Sequence, residues 1–281
     1  MTSQMVNDTA KRFSLATLLF AFALFAQTTP TALAQDSIPV LICVPGGAGS
    51  TADAKERLAA FFAKTKEITG LSMNGEYHTS QAACDRYFAD NSPKVAVFTY
   101  PTFVNKKDTW KLEPVVELVR QGYENNQFVV VSRKGTTLDQ LKGKKLASPH
   151  WDDAAFLSKV AFDSKIDFTT HFAGVKVASA LKAIKELAKG QTDAILLDEN
   201  EYRSMQELPN AGEFAAILTS DALPGAPMVV LGTNSALTET LRTKLPQLCQ
   251  LSPEACTAIE VKTLKPATLS TYETVFSRAS K

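Results

Sequence analysis

Alternation is the feature that most constrains this chain. Short β-rich apolar runs take turns with helical stretches along its length. Residues 38–44 form an apolar β-type run, followed by a Gly-rich turn at 45–50. Residues 51–69 then carry Leu58, Phe61 and Phe62 at helical spacing. Further strands are predicted over 71–77, 95–100, 114–119 and 128–132, with a helix over 81–89 between them. The rhythm then repeats. Residues 136–143 read as a short capped helix ending at Gly143. Strands are predicted at 145–148, 194–197, 214–219 and 228–231, and 168–173 reads as extended. Helices are predicted at 154–162, along the stripe Val177, Leu181, Ile184 and Leu187 up to Gly190, and at 237–248 and 253–259. Such β/α alternation argues for parallel sheets with helices on both faces. Two series of it suggest two α/β lobes, with ligands received at the carboxyl ends of strands, in the cleft between lobes.

The N-terminus reads as an export signal. Lys11-Arg12 precedes an apolar stretch at 13–26, and Ala32-Leu33-Ala34 supplies a small-x-small site. Cleavage is expected after Ala34, which makes 1–34 a signal peptide and the mature protein periplasmic. No Cys stands at that site for a lipid anchor. The apolar stretch is shorter than the ~20 residues that span a bilayer.

Charge excludes a class. The chain has 30 Lys+Arg and 29 Asp+Glu, a net of +1. Loss of 1–34 removes Lys11, Arg12 and Asp8 and leaves the mature chain neutral. A nucleic-acid binder usually carries a basic excess, so none is expected as partner. Composition, with 45% hydrophobic and 21% charged residues, is that of a globular protein.

Export changes how the four cysteines read. An even count in an oxidising compartment suggests disulfides. Cys249 and Cys256 are expected to bridge a short loop. Cys43 and Cys84 either pair or stay as buried thiols. No Cys spacing suits a zinc site, and neither metal nor cofactor is expected.

Candidate ligand residues collect at strand ends. Ser50 and Thr51 stand at a helix N-terminus after the glycines, where amides and hydroxyls can meet a ligand or simply cap the helix. The segment 47–52 fits a dinucleotide fingerprint only weakly. Tyr77 and His78 end one strand, and Thr99 and Tyr100 another. His150, Trp151 and Asp152 occupy the loop after 145–148. There Trp151 either lines a cleft or fills a core, and Asp152 or Asp153 can cap the next helix. Asp198 and Asn200 follow the strand 194–197, while Glu201 reads as solvated. Ser179-Ala180-Leu181-Lys182 fits S-x-x-K, but K-T-G and S-D-N are absent, so Ser179 is expected to cap its helix. No nucleophile–base set emerges, and no catalytic residue is assigned.

Three segments carry a family resemblance. Residues 138–147 (LDQLKGKKLA), 178–194 (ending GQTDA) and 218–227 (LTSDALPGAP) are similar, in order and spacing, to motifs of periplasmic solute-binding proteins of the phosphate/phosphite/phosphonate transporter type. The resemblance covers most of 38–272. It implies a two-lobed, type II-like periplasmic binding fold, with two parallel-rich sheets flanked by helices and joined by a hinge. Lobe one would be 35–131 plus 228–281, and lobe two 132–227, with hinge strands passing near Ser132 and Met228. It also implies a monomer that captures a small polar ligand and delivers it to the membrane permease of an ABC transporter. A membrane sensor as partner, or a periplasmic enzyme on the same scaffold, is the alternative. The family's anion site usually follows lobe two's first strand as a hydroxyl-rich loop. Here that position reads His150-Trp151-Asp152-Asp153. Carboxylates beside a dianion weaken its binding. The residues therefore favour a cationic or zwitterionic ligand, its amine held by Asp152 or Asp198 and stacked on Trp151.

Overall fold

The first sheet grows outward from its most apolar strand. In the computed structural model, which describes residues 37–45 and 50–281, β1 (Ile38–Cys43) pairs in parallel with β2 (Met73–His78) and with β3 (Val95–Phe98). Residues 1–36, which include the expected export signal, and residues 46–49 of the Gly-rich turn lie outside the described residues. β10 (Ala226–Leu231) runs antiparallel between β3 and β4 (Leu112–Arg120), and β11 (Val261–Pro266) closes the edge against β4. The order is β11-β4-β10-β3-β1-β2.

The second sheet has the order β7-β6-β8-β5-β9. β6 (Lys145–Ser148) is parallel to β7 (Ala173–Lys176) and β8 (Ala194–Asp198). β5 (Phe128–Arg133) is antiparallel to β8 and to β9 (Phe214–Thr219). The two sheets share one plan. Three parallel strands stand in the order second, first, third. Beside the third lies an antiparallel strand that arrives directly from the other sheet. The parallel pairs expected from the β/α alternation are all in these three-strand cores. Each sheet is mixed because the arriving strand enters antiparallel.

The chain passes between the sheets twice, through 121–127 and 220–225. Ser132 and Met228, where the hinge is expected, lie within β5 and β10. The two crossings bond to each other. Asn126 Nδ2 donates to the Pro224 carbonyl at 2.6 Å, Gln127 to Ser220 O at 2.8 Å, and Leu223 N to Asn125 O at 3.0 Å. Gly225 lies against the Leu118 backbone, where a Cβ would collide with the Leu118 carbonyl. One apolar cluster joins the sheets, with Leu41, Phe98 and Val229 of the first and Val130, Leu146 and Leu196 of the second.

Local signals explain most helices. Ser50 and Asp53 form a capping box on the helix Thr51–Thr69, which ends at Gly70 with φ 79° and buries Leu58, Phe61 and Phe62 as expected. Ser179 caps Ala180–Ala188, accepting from Lys182 N. That helix buries Ala183, Ile184 and Leu187, while Leu181 is 55% exposed. A face set by i, i+3, i+4 and i+7 from Ala180 excludes position 181. Residues 168–171 are helical (Phe168–His171) and the strand starts only at Ala173, because Asp167 caps the turn. Both cysteine pairs are bridged, Cys43–Cys84 and Cys249–Cys256.

The C-terminal helix (Glu273–Ala279) ties the halves together a third time. Phe276 packs on Phe103, at 5.0 Å between rings. Arg278 donates to Val160 O at 3.0 Å, in the π-helical turn Leu157–Ala161, and to Asp221 at 2.8 Å. Lys281 bonds Asp163 at 2.9 Å, and Lys165 bonds Asp221 at 2.7 Å. Lys281 holds the Asp163 carboxyl below its usual range, and Lys165 does the same for Asp221. A carboxyl depressed by folding adds stability above its unfolded pKa of about 3.9, and loses it as pH falls through the folded value. The double variant Asp163→Asn/Asp221→Asn is therefore expected to be less stable than wild type at pH 5–7. The difference should shrink toward zero near pH 2, followed by denaturant melts across that range. A constant difference would contradict the assignment.

Candidate functional site

The sequence-chosen residues gather at the carboxyl ends of the parallel strands, in three groups. The first lies beside β1 and β2. Thr51 Oγ1 donates to Tyr77 O at 2.6 Å, and Ser50 Oγ donates to Asp53 at 2.7 Å. Both hydroxyls thus serve local structure. Tyr77 packs against the outer cluster of the first sheet. His78 Nε2 stands 3.3 Å from Glu76, and its ring lies 5.3 Å from that of Tyr87.

The second group follows β3. Thr99 Oγ1 donates to Thr102 at 3.3 Å. Tyr100 is buried, and its ring stacks on Phe156 at 5.7 Å and 11°. Its hydroxyl donates to the Pro224 carbonyl, with Gly225 O at 3.1 Å, and accepts from Asn126 Nδ2 at 3.2 Å. Burial pushes the phenol far above its usual range. Tyr100 therefore binds both crossings and meets an aromatic ring from beyond β6. That contact lies across the gap between the two sheets.

The third group follows β6 and β8. Asp198 caps the helix Glu199–Gln206, its Oδ1 accepting from Glu201 N at 2.8 Å. Glu201 Oε2 returns the bond from Asp198 N at 2.9 Å and also meets His150 Nε2 at 2.9 Å. Asp198 Oδ2 accepts from the Tyr123 hydroxyl at 2.6 Å. Phe128 sets its ring edge-to-face with His150 at 5.5 Å. Burial raises the Asp198 carboxyl above its usual range, and the Glu201 charge adds to this. For His150, burial disfavours the proton, but the hydrogen bond and charge of Glu201 outweigh it, and the net direction is upward. Burial also raises the Tyr123 phenol, as does the Asp198 charge.

Other members of these loops point elsewhere. The Trp151 ring lies against Gly174 of β7, where any Cβ would overlap the indole. Asp152 pairs with Lys176 at the exposed end of β7. Neither Asp152 nor Asp153 makes a side-chain cap, and burial raises the Asp153 carboxyl. Asn200 packs on Gly122, whose φ of 78° and lack of a side chain let the crossing approach.

Several partners escaped the sequence reading. Glu201, read as solvated, is the partner of both Asp198 and His150. The D-x-x-E spacing of a capping box was the available signal. Glu199 is the other: its carboxylate accepts three backbone amides of the first crossing, from Glu124 at 3.0 Å, Asn125 at 2.9 Å and Asn126 at 2.7 Å. Glu199→Ala leaves those amides without an acceptor. Hydrogen bonds to a charged group are worth about 1.5–3 kcal/mol, so amide exchange at 124–126 is expected to speed up roughly tenfold or more. Unchanged exchange there would show that the carboxylate does not hold the crossing.

Two sheets of one plan, joined by two bonded crossings and with polar groups at the carboxyl ends of both, make a two-lobed α/β fold. Residues 48–272 match the family described as ABC transporter, phosphonate, periplasmic substrate-binding protein, and the chain belongs to that family. Similar solved structures agree in fold. PhnD1 from Prochlorococcus marinus, in complex with methylphosphonate, is 13% identical over 87% of this chain and 97% of its own, with a TM-score of 0.62. A Xanthomonas citri protein bound to ATP is 16% identical over 87% and 96%, with a TM-score of 0.63. A binding component of a phosphonate transporter from Pseudomonas aeruginosa is 11% identical over 84% and 83%, at 0.58. No curated protein sequence matches the chain.

Proposed function

We propose that the mature chain, released after Ala34, works as a monomeric periplasmic receptor. It captures a small solute between its two sheets and delivers it to a membrane permease. It performs no chemistry on that solute. The ligand bears a cationic group, alone or in a zwitterion. The observation behind this reading is the make-up of the second sheet's ligand face. Ser148, the hydroxyl that ends β6, is spent on Leu196 O at 2.9 Å and on His150 N at 3.0 Å. Beyond Ser148 stand His150, Asp198 and Glu201, and neither carboxylate is bonded to a lysine or arginine among the described residues. Such a face disfavours a dianion and attracts a cation.

Asp152 and Trp151, the other groups considered for an amine, are engaged with Lys176 and Gly174, which moves the weight of this reading to Asp198. A ligand that touches both lobes binds the closed form better and drives closure. The test is a thermal-shift panel of amines, amino acids and methylphosphonate, since a ligand selective for the folded state raises its melting point. At least one amine-bearing solute is expected to raise it and methylphosphonate to leave it unmoved. A shift with methylphosphonate alone would overturn the ligand class.

A further inference from the structure

We propose that the cation taken by this face is a divalent transition-metal ion of the zinc class, held by His150, Asp198 and Glu201. This rests on the reading that the second sheet's carboxylates meet a cationic ligand, and it names that cation. One ligand atom from each of the three residues lies within 4.8 Å of the other two, and the His150–Glu201 pair is at 2.9 Å. Donors 2.0–2.2 Å from a tetrahedral Zn²⁺ stand roughly 3.4 Å apart, inside that range. The donor types suit it, since imidazole nitrogen with carboxylate oxygen is a common zinc set.

The three donors come from rigid places. Asp198 and Glu201 are locked to each other in the first turn of one helix, and His150 follows β6. Second partners orient them. Tyr123 donates to Asp198, and Phe128 packs against the His150 ring. Glu201 can keep the Asp198 amide on Oε2, since Oε1 accepts no hydrogen bond among the described residues. The ion replaces the proton between His150 Nε2 and Glu201, and that proton leaves to solvent. It also supplies the positive charge that two carboxylates facing one imidazole lack. Three protein donors leave a fourth position open to water or a solute.

The experiment is calorimetric titration of chelator-stripped mature chain with ZnCl₂. One ion per chain is expected. His150→Gln and Glu201→Gln should each weaken binding roughly tenfold or more, a loss of at least about 1.4 kcal/mol. His171→Gln, whose ring meets the Leu138 carbonyl at 3.1 Å and Phe172, should leave it unchanged. No saturable binding, or binding indifferent to both cluster variants, overturns the proposal, as does a loss confined to His171→Gln. Should a variant fail to fold, zinc-edge anomalous diffraction from wild-type crystals decides: density between His150 and Glu201 supports the site, and density elsewhere overturns it. Failure here is separable from failure of the receptor reading. Absence of zinc binding alongside binding of an amine-bearing solute overturns the metal alone, and methylphosphonate as sole ligand overturns both.

Discussion

Tyr272→Ala is expected to lower the unfolding free energy by about 3–5 kcal/mol, the range for large buried aromatic truncations. The side chain is fully buried, at 0% exposure. Its ring packs edge-on against Phe103 at 5.1 Å and against Tyr100 at 6.5 Å. Its hydroxyl donates to Gly225 O at 3.1 Å, in the second crossing. Truncation therefore opens a cavity where the first sheet's C-terminal segment meets the hinge. Tyr272→Phe keeps the ring and gives up one hydrogen bond, so about 1 kcal/mol is expected. Urea melts of both variants check this. A small effect of Tyr272→Ala would mean that the junction collapses around the gap or that the ring is not packed there.

Loss of the Cys43–Cys84 bridge is expected to cost about 2–5 kcal/mol. The bridge ties the end of β1 to the helix Gln81–Asn91, and both cysteines are fully buried in the cluster that joins the sheets. It spans 41 residues, whereas Cys249–Cys256 spans 7. On loop-closure entropy the longer loop gains about 1.5 kcal/mol more. Cys43→Ser/Cys84→Ser should thus be the more destabilised double variant in non-reducing melts, and Cys249→Ser/Cys256→Ser the milder. A reversed order would mean that native packing around the shorter loop outweighs chain entropy.

What could be read from the sequence depended on physical range. Ser50 with Asp53, Ser179, Gly70 and the apolar β-runs are local signals, and each is where local rules put it. The 249–256 bridge was legible because its loop is short, whereas Cys43–Cys84 stayed open because strand and helix are far apart in sequence. β11 was missed. A bulge between Val261 and Thr263 breaks its alternation, and Lys262, Lys265 and Pro266 disguise it as loop. Leu181 looked like core because a spacing of three mimics a helical face over a few residues. At the site, sequence selected the strand-end loops but not the partners within them. Glu199 meets amides 73 to 75 residues away, and Tyr123 meets Asp198 at a separation of 75. Only the crossing of the chain between the sheets creates those contacts. Trp151 and Asp152 were chosen for their chemistry, but Gly174 and Lys176 of β7, both distant in sequence, claim them.

If the face formed by His150, Asp198 and Glu201 receives the ligand, as proposed, this member of the phosphonate-transporter binding family should take a cationic group. Calorimetric titration of the mature chain decides this, with methylphosphonate and with the amine-bearing or metal ligand that most raises its melting point. One saturable site is expected for the cationic ligand, with no measurable heat of binding for methylphosphonate. Tight one-to-one binding of methylphosphonate, with none of any cation, would show that the acidic face does not select the ligand.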